Sequence, residues 1–114
     1  MKDLLDIRKD IDKIDEQIVK LYEERMKLTS DVAEYKINTG KQVFDKEREE
    51  SKLATLQKKA ESDFTRHGIR ELFEQIMAMS RKKQYKLLKL IMSYFEMAKD
   101  AAVSYTHLTL RRRG

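Results

Sequence analysis

Residues 4–37 read LLDIRKDIDKIDEQIVKLYEERMKLTSDVAEYKI, a run with no Gly and no Pro. Within it Leu4, Ile7, Ile11, Ile14, Ile18, Leu21, Leu28, Val32 and Tyr35 follow one another at alternating steps of three and four. That spacing is the apolar seam of a heptad helix. One seam position breaks the pattern, and the residue there is Arg25. A guanidinium set into an apolar stripe needs a partner, because burying an unpaired charge costs several kcal/mol.

Length carries a second inference. At about 1.5 Å per residue, a helix over residues 2–39 spans roughly 56 Å. A globule of this chain length has a radius of gyration of about 13 Å, hence a diameter of roughly 35 Å. The helix outruns its own monomer while its apolar stripe continues, and a second copy of the chain is the simplest cover for the excess.

The 114 residues make one domain, with 40% apolar and 39% charged residues, no Pro and three Gly. This composition belongs to long helices, and strand signals are absent. The fold class expected is all-α, three helices with one very long, joined into an intertwined homodimer. The lack of Cys excludes disulfides and thiolate metal sites. The two histidines, His67 and His107, lie far apart and leave no material for a zinc centre or a His-centred triad. No metal and no cofactor is therefore expected. No apolar run is long enough to span a bilayer and no signal-peptide core opens the chain, so the expectation is a cytoplasmic protein without a membrane partner. Of the net charge of +5, three units come from Arg111, Arg112 and Arg113, which leaves +2 on the rest. That small excess argues against a nucleic-acid partner.

In chain order, Gly40 is placed to terminate the first helix as its left-handed C′ residue. Asp45 is the expected N-cap of a second helix over Lys46 to about Glu61, with Glu49, Leu53, Leu56 and Ala60 facing inward. Ser62, Asp63 and Thr65 offer caps for a third helix reaching about Asp100. Its stripe runs Ile69, Leu72/Phe73, Ile76, Ser80, Gln84, Leu87, Ile91, Tyr94/Phe95 and Ala98. The domain is set at residues 1–98. Residues 99–114 lose the period and differ in composition, and read as a disordered or non-native tail.

Polar residues thus interrupt apolar faces at Arg25, Glu49, Ser80 and Gln84. Lys36 joins them: eleven residues after Arg25 is about 1100°, so the two point the same way roughly 16 Å apart. Two long cations on one face can clamp a small anion, and Arg48 is placed either to join them or to pair with an acid. Singly, each has an ordinary explanation: Arg25 as a register-setting seam residue, Lys36 and Glu49 as solvated helix positions, Ser80 as a small core residue, Gln84 as a backbone partner. Together they would share one bundle interior. Arg8 lies 17 residues, roughly 25 Å, from Arg25 along the helix. It either pairs with Asp12 on the surface or, with antiparallel first helices in a dimer, approaches Arg25 of the second copy.

The order Leu5-x-x-Arg8-x-x-Ile11-Asp12-x-Ile14-Asp15, Leu21-x-x-x-Arg25, Lys36, Val43-x-Asp45-x-x-Arg48-Glu49 and Ser80-x-x-x-Gln84 resembles the all-helical class of chorismate mutase. That class occurs as a stand-alone enzyme and at the N-terminus of bifunctional enzymes of phenylalanine synthesis. The resemblance covers about residues 4–95. It implies an intertwined dimer with two active sites, each borrowing an arginine from the partner. By position, Arg25 and the partner copy's Arg8 would bind the two carboxylates of chorismate. Lys36 and Gln84 would donate to the ether oxygen. Glu49, with the backbone near Asp45, would hold the ring hydroxyl, and Arg48 and Ser80 would complete the polar wall. Phe44 departs from the Arg often found before the Asp, at a position that is not a core ligand. Isochorismate-pyruvate lyase shares this fold and most of these ligands, and a non-catalytic helical dimer module is the rival outside enzymology.

The chemistry agrees with the residues. Conversion of chorismate to prephenate is a one-substrate Claisen rearrangement that needs no nucleophile, metal or proton transfer. The protein must hold a flexible dianion in a compact chair and stabilise charge developing on the ether oxygen. Cations and an amide on rigid helices do both.

Overall fold

The computed structural model describes residues 1–113, with side chains described as far as residue 105. It consists of α1 (Leu4–Thr39), α2 (Lys46–Gln57) and α3 (Asp63–Arg113), with no strand among the described residues. Gly40 ends α1 in the left-handed conformation, φ 69°, and its N–H donates to the carbonyl of Lys36. The Asp45 carboxylate caps α2 by accepting from the Arg48 N–H at 3.1 Å.

Two boundaries differ from the sequence expectation. First, α2 stops at Gln57 rather than near Glu61. Ser62 and Thr65 form a reciprocal cap: the Thr65 N–H donates to Ser62 Oγ and the Ser62 N–H donates to Thr65 Oγ1, each at 3.2 Å. Such a cap needs Ser62 outside the helix, so the chain must leave α2 beforehand. It does so through tighter turns, Lys59 N–H to Leu56 O and Ala60 N–H to Gln57 O, both 3.1 Å. Second, α3 does not end at Asp100 but continues to Arg113. Residues 101–113 contain no Gly or Pro. Loss of the apolar stripe removes a packing partner but supplies nothing that breaks a helix. Residues 101–105 are exposed, while Gly114 and the side chains of 106–113, part of the expected tail, lie outside the described residues.

The molecule is extended, 89 × 34 × 16 Å, with a radius of gyration of 22.9 Å. A compact chain of this length would have about 13 Å. α3 is the common partner of α1 and α2. Among the described residues, those buried are Met77, Ser80 and Gln84 of α3, Met26, Thr29 and Ala33 of α1, Leu53 of α2 and Val43 of the α1–α2 loop. Arg70 fastens α3 to the end of α2 through Glu50 at 3.1 Å and Gln57 at 3.2 Å, and also meets Glu74 on its own helix at 2.8 Å. The hydrogen bond to Glu50, then the charge of that carboxylate, raise the Arg70 pKa above the ordinary arginine value.

The face that α1 buries in its own chain is therefore not its heptad seam. The nine apolar seam residues, Leu4 to Tyr35, are each 37–63% exposed. α1 docks on α3 through the adjacent line Met26, Thr29 and Ala33, and the seam is left for another surface.

Candidate active site

Among the described residues, three of the eight buried ones are polar: Thr29, Ser80 and Gln84. They gather at a cavity of about 290 Å³ between α1, the α1–α2 loop, α2 and α3. This is close to the lower end of small-ligand sites, about 300–1,000 Å³. Arg25, Lys36, Asp45, Arg48, Glu49, Ser80 and Gln84 all line it. Of the residues singled out in the sequence, Arg8 alone is not there. It is exposed and forms no hydrogen bond or ion pair among the described residues, so the surface pairing with Asp12 is absent.

Each side chain is held by its element. Arg25, half-buried, donates from Nη1 to Ser80 Oγ at 2.6 Å, and the Ser80 hydroxyl donates to the Ile76 carbonyl at 2.9 Å. Ser80 thus presents only an acceptor to Arg25 and aims the guanidinium without neutralising it. Lys36 reaches from the last turn of α1 to the loop, where Nζ donates to the Val43 carbonyl at 2.6 Å. An ammonium has three donors, so two remain for a ligand. Gln84 is 6% exposed, and its Oε1 is buried without a partner. An unsatisfied buried amide costs about 1–3 kcal/mol.

The charges are unequal. The lining contains the cations Arg25, Lys36, Arg48, Lys52 and Arg81 and the acids Asp45 and Glu49. Asp45 is committed to the cap of α2 and Glu49 to Arg81. Neither Arg25 nor Lys36 forms an ion pair among the described residues. The partner that the seam guanidinium calls for is a neutral hydroxyl, which leaves the positive charge to meet an anion. Sequence reading missed Arg81, hidden in the run Arg81-Lys82-Lys83, and Lys83, whose Nζ donates to the Met26 carbonyl at 2.9 Å and ties α3 to α1 beside the site. An acid on an apolar stripe, Glu49, was the signal that a cation had to be near.

Fold and site define an all-helical protein, among the described residues, with a cationic, partly buried cavity. Residues 7–85 match the family described as chorismate mutase type II. The chain belongs to that family. It is 39% identical over 89 residues to the bifunctional chorismate mutase/prephenate dehydratase of Buchnera aphidicola subsp. Schizaphis graminum (strain Sg), a match over 75% of this chain and 23% of that protein. The chain thus spans about a quarter of the length of this curated relative. No helix among the described residues is long and apolar enough to cross a membrane.

Proposed function

We propose that this chain, a chorismate mutase by family, rearranges chorismate to prephenate as an intertwined homodimer whose two sites each take Arg8 from the opposite copy. The observation that carries the reading is the convergence in one cavity of Gln84 with Arg25 and Lys36, neither of which forms an ion pair among the described residues.

In the reaction the ether C–O bond breaks as a C–C bond forms within one molecule, and no proton is exchanged with the protein. Arg25 binds one carboxylate and the partner copy's Arg8 the other. With both ends held, the substrate is confined to the folded conformer in which the reacting carbons meet. Lys36 and the amide N–H of Gln84 donate to the ether oxygen, which gains negative charge as its bond to carbon lengthens. Donors already in place stabilise that charge without reorganising. Glu49 and the backbone near Asp45 take the ring hydroxyl, and Arg48 and Ser80 close the polar wall.

Two observations support the dimer. The nine apolar seam residues of α1 stay 37–63% exposed in the single chain. Arg8 lies on its N-terminal part, unpartnered and roughly 25 Å along the helix from Arg25. Packing the seams of two antiparallel α1 helices buries apolar surface at about 25 cal/mol per Å² and brings Arg8 of each copy toward the cavity of the other. The test is prephenate formation from chorismate by the purified chain, run beside an isochorismate assay for pyruvate release. Turnover of chorismate supports the reading; pyruvate release without prephenate formation overturns it.

A further inference from the structure

Glu49 is a carboxylate in the wall of a cavity built for an anion, and unaided it would repel the dianion proposed above. Arg81 answers it. The Arg81 guanidinium donates from Nη1 to Glu49 Oε1. This is the most buried ion pair among the described residues: its side chains are 28% and 21% exposed, while those of every other pair are at least 36% exposed. The guanidinium is also fixed from a second side, with Cζ 4.8 Å from the centroid of the Phe44 ring. A guanidinium over an aromatic face at that range is attracted by the ring quadrupole. Phe44 immediately precedes Asp45, the cap of α2, so the stack ties α3 to the loop that positions Glu49. Arg81 follows Ser80 and precedes Gln84 by three residues, about 100° and 60° around the helix from them. It flanks the cavity, and both members of the pair also line a second cavity of about 300 Å³.

We infer that Arg81 is a positioning residue for the rearrangement: stacked on Phe44, it fixes Glu49 Oε1, leaves Oε2 to accept from the ring hydroxyl, and cancels the carboxylate charge before the dianion enters. This rests on the mutase reading. It also gives Phe44 a role, because a cation at position 44 would meet a second cation at Arg81, whereas an aromatic face attracts it.

The test is a double-mutant cycle on the full chain with Arg81→Met, Glu49→Gln and both together, reading kcat and KM for chorismate and the melting temperature. Glu49→Gln keeps an acceptor oxygen without a charge. Arg81→Met in the parent is expected to lower kcat/KM about 10- to 100-fold, largely through KM, because an unpaired carboxylate then faces the substrate. In the Glu49→Gln background the same change is expected to cost less than about threefold, since a neutral amide needs no counter-ion. Arg81→Lys should recover most of the KM effect and less of kcat, because it restores charge without the planar fork. Should Arg81→Met fail to fold, Phe44→Leu serves in its place, with a loss of about threefold that vanishes with Glu49→Gln. Equal losses in both backgrounds, or no loss in either, overturn the inference while leaving an active parent and the mutase reading intact. A parent that does not turn over chorismate overturns that reading and this inference with it.

Discussion

Arg25 Nη1 lies 2.6 Å from Ser80 Oγ, joining α1 to α3, and no carboxylate meets that guanidinium among the described residues. The two residues are 55 apart in sequence and each interrupts an apolar stripe. The hydroxyl accepts from the guanidinium without neutralising it. Ser80→Ala should therefore cost less than Arg25→Ala. Arg25→Ala is expected to lower kcat/KM about 100-fold or more, and Ser80→Ala about tenfold or less, each 1.4 kcal/mol counting for one decade. Steady-state kinetics on the two variants checks the order.

The parts of the fold that were legible share one property: a local rule fixes them. The heptad marks α1, Gly40 its end and Asp45 the start of α2. The misread ends came from following the apolar period past its meaning. Leu56 and Ala60 extend the stripe of α2, yet the Ser62–Thr65 cap requires the chain to have left the helix. The stripe of α3 fades after Ala98, yet no breaker follows before Gly114. In the site, Arg25, Glu49, Ser80 and Gln84 were legible because each is polar where an apolar residue belongs, and Lys36 because it lies eleven residues, about three turns, after Arg25. Arg81 was not, because an arginine beside two lysines looks like a solvated helix surface. The seam of α1 showed its chemistry but not its partner surface, since periodicity identifies an apolar face and not what covers it.

The exposed seam makes assembly testable by one substitution. Ile11→Lys places a charge in the seam, where Ile11 is 49% exposed in the single chain. A monomeric fold would tolerate it within about 0.5 kcal/mol, as surface changes usually are. In a seam-to-seam dimer it should lower the melting temperature by several degrees and make it depend on protein concentration. Thermal melts at two concentrations distinguish the cases.

The two glycines with described surroundings should respond with opposite signs. A Cβ on either meets nothing within 4 Å, so backbone conformation decides. Gly40 has φ 69°, and Gly40→Ala should destabilise by about 1–2 kcal/mol. Gly68 lies inside α3, and Gly68→Ala should stabilise by about 0.5–1 kcal/mol. Chemical denaturation of both variants measures the signs.

Residues 101–105 are exposed, and no described residue beyond 100 lines the cavity. Ending the chain after Asp100 should leave kcat/KM within about twofold and the melting temperature within a few degrees, as for changes remote from core and site. A large fall in either would show that this part of α3 is packed in the assembled protein.

Mixing Arg8→Ala with Arg25→Ala tests the shared site most directly. Each variant alone should be nearly inactive while remaining a helical dimer. In a heterodimer one site lacks both arginines, and the other combines Arg8 from one chain with Arg25 from the other and is intact. After unfolding and refolding together, random pairing makes half the dimers mixed with one good site in two, so about a quarter of wild-type activity should return. Verified heterodimers that stay inactive would contradict a site completed by Arg8 of the opposite copy.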